Sequence, residues 1–142
     1  MDIHSYQPTV NDIMDISKSD LFIYVGGESD KWIEDTLQTI PNKNLKTINL
    51  MKSLKNLYEE EDGIEEAQNV SESEEEEETE YDEHVWLSLK NAKLICNIIC
   101  DELCTLDPKN QELYKSNCND YLQKLNSLDE QFEQTVKISK SK

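Results

Sequence analysis

The chain predicts an α/β domain, a small parallel sheet flanked by helices and followed by a long C-terminal helix. Three observations lead there. A continuous apolar, β-rich run, Leu21-Phe22-Ile23-Tyr24-Val25, stops at Gly26-Gly27, which is the pattern of a strand buried on both faces of a parallel sheet. Leu45-Lys46-Thr47-Ile48-Asn49-Leu50 reads as another strand one amphipathic segment later, and the order strand, helix, strand implies parallel pairing through a right-handed crossover. From Ser88 onward the apolar residues recur at helical spacing to about Ile138.

Each element has its own local signals. Val10, Ile13, Met14 and Ile16 predict a short first helix, with Thr9 placed to cap it after Pro8. Ser29 to Ile40 puts Trp32, Ile33 and Leu37 on one helical face, and Pro41-Asn42 turns the chain into the second strand. Ser88 caps the next helix, where Leu89, Ala92, Cys96, Ile99 and Leu103 form a stripe. Leu94, Ile95, Ile98 and Cys100 widen it, which predicts a largely buried helix. Asp107-Pro108 offers a cap followed by proline at the first helical position. The long helix after it carries Tyr114, Cys118, Tyr121, Leu125, Leu128 and Phe132.

A chain of 142 residues fits one domain. Its net charge of -17 and 36% hydrophobic content would, averaged, favour disorder. The charge is uneven, however: residues 59–83 hold 15 of the 31 acidic residues and no lysine, leaving 16 against 14 lysines elsewhere. The reading is therefore a single lobe over 1–142 with a solvated, disordered acidic loop at 59–83. There is no arginine, and no basic cluster interleaves with aromatics, so nucleic acid is excluded as a partner. No apolar run approaches the roughly 20 residues of a membrane span. Met1-Asp2-Ile3-His4 has neither the basic nor the apolar region of a signal peptide. Enzyme chemistry finds no His-Glu-x-x-His spacing and no phosphate-cradling glycine loop, so binding is expected rather than catalysis.

Binding chemistry centres on the only two histidines, His4 and His84, each just ahead of a predicted helix. Imidazole is the commonest side-chain ligand for borderline transition metals. Isolated histidines are more often ordinary hydrogen-bonded groups. Their surroundings are more specific: His4-Ser5-Tyr6-Gln7-Pro8-Thr9 and Asp82-Glu83-His84-Val85-Trp86-Leu87-Ser88. With these segments the chain resembles the substrate-binding proteins of zinc and manganese ABC importers, which carry His-x-Tyr-x-Pro-Thr/Ser and Asp-Pro-His-x-Trp-Leu-Ser/Asp. Ser19 to Tyr24 with Gly26 and Trp32, Lys90-Asn91-Ala92, Leu106-Asp107-Pro108 and Tyr114 to Leu128 resemble further blocks of that family.

The resemblance implies a two-lobed receptor that closes around one metal ion, of which this chain is a truncated N-terminal lobe, half of the fold. His4 and His84 are the only metal ligands it carries over. Zinc is the implied ion and manganese or iron the alternative. An ABC permease is the implied partner and the outside of the cytoplasmic membrane the implied location, with an altered N-terminus accounting for the missing export segment. Glu83 and Leu89 stand where the family has proline, which removes stiffness around His84. In such receptors a loop ahead of the second ligand gathers metal. Here that stretch has no histidine and would act through carboxylates and its negative field. From a different class, the chain reads as a stand-alone acidic interaction protein or a degenerate remnant. The uncovered sheet edge and helix faces of a half fold imply self-association, a homodimer among the outcomes.

Cys96, Cys100 and Cys104 lie four apart on one predicted helix and Cys118 on the next. That spacing suits a thiolate metal site. Their place on the apolar stripe favours small core thiols.

Overall fold

The computed structural model describes residues 6–62 and 83–139, in a chain that divides into two units, Met1–His84 and Val85–Lys142. The first unit opens with α1, Val10–Lys18, capped by Thr9 as the spacing predicts. Thr9 and Asp12 form a capping box, in which each side chain bonds the other's backbone N–H, so two N–H groups left over at the helix start are satisfied at once. β1, Leu21–Tyr24, and β2, Lys46–Asn49, pair in parallel with Leu21 opposite Lys46 and Tyr24 opposite Asn49. Between them a 3-10 turn, Glu28–Asp30, leads into α2, Lys31–Thr39.

The first unit's core is built from β-branched and leucine side chains spaced for these periods. Ile16, Ile33, Ile40, Ile48, Leu50 and Leu54 are buried, and Ile33 is only 2% exposed. β1 is half-buried at all four positions, not buried on both faces as its apolar run suggests. With one neighbouring strand among the described residues, it presents an unpaired edge whose side chains keep part of their exposure.

After β2 the chain enters a helix that the periodicity does not predict, α3, Leu50–Asp62. Asn49 caps it by accepting from the Lys52 amide at 3.0 Å. Among the described side chains of this helix Leu50 and Leu54 are buried, and Lys52 and Lys55 interrupt its apolar signal. α3 also runs through Glu59–Asp62, where the sequence places the start of an acidic loop. Residues 63–82 lie outside the described residues.

Gly26 and Gly27 end β1 with φ of +93° and +88°, values that favour glycine. Gly26 is needed for a second reason, since a Cβ there would lie 2.6 Å from Oδ1 of Asn49, the atom that caps α3.

The second unit is a helical hairpin. A 3-10 turn, Val85–Leu87, precedes α4, Leu89–Leu106, whose N-cap Ser88 accepts from the Asn91 amide. A further 3-10 turn, Pro108–Asn110, then opens α5, Gln111–Ile138. Asp107 is the N-cap residue of this turn, with Pro108 following as the Asp-Pro signal suggests, while Asn110 stands at that position for α5 itself; the Asp107 carboxylate accepts from Asn110 Nδ2 at 2.7 Å and the Tyr114 hydroxyl at 3.0 Å. These bonds hold its carboxyl below the usual aspartate range, Asn110 contributing most. α4 is less buried than its stripe predicts, with Ile95 and Cys100 buried and its other large apolar residues half-buried. Lys93 Nζ reaches Asp129 Oδ2 at 2.9 Å and Leu125 is buried, so α5 returns antiparallel along α4.

Candidate metal centre

His84 is half-buried and is the last residue of the first unit. Its neighbour on the N-terminal side is tied down. Glu83 Oε1 accepts a hydrogen bond of 2.8 Å from the Ser29 amide, across 54 residues of sequence. Ser29 lies in the 3-10 turn before α2, where the first N–H groups of a helix lack intrahelical acceptors and the local dipole favours negative charge. The backbone on the C-terminal side of His84 is also held, because Asn91 Nδ2 donates to the Val85 carbonyl at 3.0 Å.

His4 lies outside the described residues. The segment after it is anchored through Asp12, one of whose oxygens, Oδ2, accepts from the Tyr6 hydroxyl, the Thr9 amide and the Thr9 hydroxyl, each at 2.7 Å. Three donors stabilise the ionised carboxyl, so Asp12 titrates below the usual aspartate range, with the Thr9 hydroxyl the largest cause, then the Thr9 amide and Tyr6. The same bond raises Tyr6, whose proton the carboxylate holds. The Tyr6 ring also packs on Trp32 of α2, centroids 6.0 Å apart and tilted by 58°, within the range of a favourable aromatic pair. Tyr6, Pro8 and Thr9 thus lead into α1 along a defined path.

Asp12, Trp32, Ser29 and Glu83 act here although the sequence alone assigns them no role at a site. For Asp12 a signal is present, the Thr-x-x-Asp spacing of a capping box. Glu83 has none, because its partner lies 54 residues away and its glutamate neighbours look alike.

Of the four cysteines, Cys100 lies in the core as the core reading expects. All four are free, with Cys100 buried and Cys96, Cys104 and Cys118 half-buried. Burial raises the thiols of Cys96, Cys100 and Cys104 above the ordinary value, which disfavours the thiolate a metal requires. Among the described residues no group of three or more His, Cys, Asp or Glu is arranged to hold a metal ion. Nor is any helix among them long and apolar enough to cross a membrane.

The family model described as zinc-uptake complex component A, periplasmic (ZnuA), matches residues 1–142 of the chain. The chain belongs to this family. The zinc-binding lipoprotein AdcA of Streptococcus pneumoniae is 30% identical over 139 residues, which cover 98% of this chain and 27% of that protein. The high-affinity zinc uptake system protein ZnuA of Bacillus subtilis is likewise 30% identical over 139 residues, 98% of this chain and 43% of its relative. The chain therefore spans less than half the length of either ZnuA-family relative. Among solved structures it is similar to the metal-dependent lipoprotein YcdH of Bacillus subtilis, with a TM-score of 0.72 at 27% identity over 96% of this chain and 44% of that one. It is also similar to the manganese-bound periplasmic metal-binding protein of Candidatus Liberibacter asiaticus, with a TM-score of 0.61 at 27% identity over 87% of this chain and 40% of that one. The fold is that of part of a ZnuA-like metal receptor, a small parallel two-stranded sheet among helices.

Proposed function

We propose that this chain is the N-terminal lobe of a zinc receptor serving an ABC importer, and that its part in the work is capture of the ion, not catalysis. The observation that carries this reading is the match of all of residues 1–142 to the zinc-uptake family. Neutral imidazoles of His4 and His84 coordinate the ion, a ligand chemistry suited to zinc. Zinc sites use three or four protein ligands, so two histidines form a half-site. A second lobe completes the shell in the receptor, which hands the ion to a membrane permease on the outer side of the cytoplasmic membrane. Without that lobe, zinc binds weakly, or binds tightly when a second copy or an external carboxylate fills the remaining positions.

The test is a zinc titration of the wild-type chain beside His84→Ala and the His4→Ala/His84→Ala pair. We expect loss of affinity in the single variant and a greater loss in the double variant. Equal affinities in all three would remove the histidines from the site. A manganese receptor is the second reading, favoured by the manganese-bound relative; competition between the two ions at the wild-type chain separates them. Self-association belongs to the same proposal, because Phe132, Val136 and Ile138 on α5 are 58%, 71% and 79% exposed. Light scattering should show dimers that a Phe132→Asp chain does not form; monomers at all concentrations would end that part of the reading.

A further inference from the structure

We propose that Glu83 is a positioning residue for His84, its carboxylate fixing the backbone that carries the imidazole by bonding the Ser29 amide and packing against Gly27. This inference rests on the zinc-receptor reading and adds to it how one ligand is set in place.

The surface that receives Glu83 is itself rigid. Asp30 Oδ2 accepts from the Val25 amide at 3.0 Å and the Gly26 amide at 2.9 Å. The Val25 carbonyl accepts from the Met51 amide at 2.9 Å. The loop from Val25 to Asp30 is thus closed on itself and stitched to the start of α3. Within it, Gly27 has φ 88° and ψ -167°, a region essentially confined to glycine. A Cβ at Gly27 would lie 2.6 Å from Cγ and 2.7 Å from Oε1 of Glu83. Glycine therefore leaves open the space that the glutamate side chain fills, and Ser29 supplies the donor at its far end.

A glutamate has no ring to restrain φ from within the chain, as a proline would. Here a long-range hydrogen bond supplies the restraint from outside, and because successive Cα atoms are about 3.8 Å apart, holding residue 83 limits the travel of residue 84. The carboxylate needs no contact with the ion to do this.

The test uses the full chain with Glu83→Ala, Glu83→Gln and Gly27→Ala, in two independent arms. In the first, zinc affinity is measured by competition with a chromophoric chelator. Glu83→Ala and Gly27→Ala are expected to weaken binding by roughly tenfold, as loss of a group that orients a ligand does. Glu83→Gln keeps an oxygen that accepts from Ser29 and is expected to stay close to wild type. Wild-type affinity in Glu83→Ala overturns the proposal. So does a Glu83→Gln chain as weak as Glu83→Ala, which would make the charge, not the tie, the active feature. The second arm needs no metal: NMR monitors exchange of the Ser29 amide and the ring resonances of His84. Faster exchange and shifted ring signals in Glu83→Ala, with neither in Glu83→Gln, support the tie. Unchanged ring signals in Glu83→Ala overturn it. A wild-type chain whose zinc binding ignores His84 defeats the receptor reading through the first arm, and the second arm still judges the role of Glu83.

Discussion

Single side chains carry unusual responsibility near both histidine segments, and Asp12 is the clearest case. One oxygen receives three donors, so removing it breaks the carboxylate half of the capping box and releases Tyr6 together. Because its folded titration point is lowered, the contribution of Asp12 is fully present above its unfolded value of about 3.9 and is lost as pH falls through the lowered folded value. An NMR titration should therefore place the Asp12 carboxyl below that reference, and Thr9→Ala should move it back up. An unshifted carboxyl in the wild type would contradict the three-donor arrangement. Thr9→Ala should also cost about 1 kcal/mol of stability through the lost cap. Sequence spacing is enough to foresee the cap at Thr9, because capping is a contact between residues three apart. It is not enough to foresee the use of Tyr6, which joins the same oxygen only once the chain has turned.

At the level of strands and helices, the β-α-β unit depends on α2 and above all on Ile33. Ile33 is 2% exposed, and truncating it leaves a cavity in its unit's core. Ile33→Ala should cost about 3 kcal/mol, read as a lower urea midpoint of unfolding. A change below about 1 kcal/mol would mean that the site collapses or is less well packed. The two strands and α1, α2, α4 and α5 are all legible from periodicity, since each presents an apolar face or run to its own unit's core. α3 is not, because its helix is held by the Asn49 cap and two buried leucines and not by a continuous stripe. The half-burial of β1 and α4 likewise reflects how few of the described elements pack on them, which no local pattern records.

Over the chain as a whole, charge is the dominant property: a net of -17, nearly half of whose acidic residues fall within 59–83 and so lead directly to His84. Such a concentration of carboxylates raises the local level of divalent cations and speeds their arrival, with little discrimination among them. Deleting residues 65–80 should slow zinc association several-fold at low ionic strength and have little effect at about 0.15 M salt, where the field is screened beyond about 8 Å. Stopped-flow measurement at two salt concentrations checks this. Equal rates at low salt would make the acidic stretch a passive part of the chain.

Composition, periodicity and the two histidine segments are sufficient to read an α/β fold, most of its helix starts and its kinship with metal receptors. These are local properties: apolar spacing sets which face is buried, and a cap or a strand terminator acts over a few residues. The contact that holds Glu83 beside Gly27 and Ser29 is different in kind. It joins positions 54 apart, and its energy exists only after β1, its glycine corner and the 3-10 turn before α2 have folded into one surface. The choice of a particular glutamate from a run of similar ones is therefore made by packing and hydrogen-bond geometry, to which the order of residues along the chain gives no direct access.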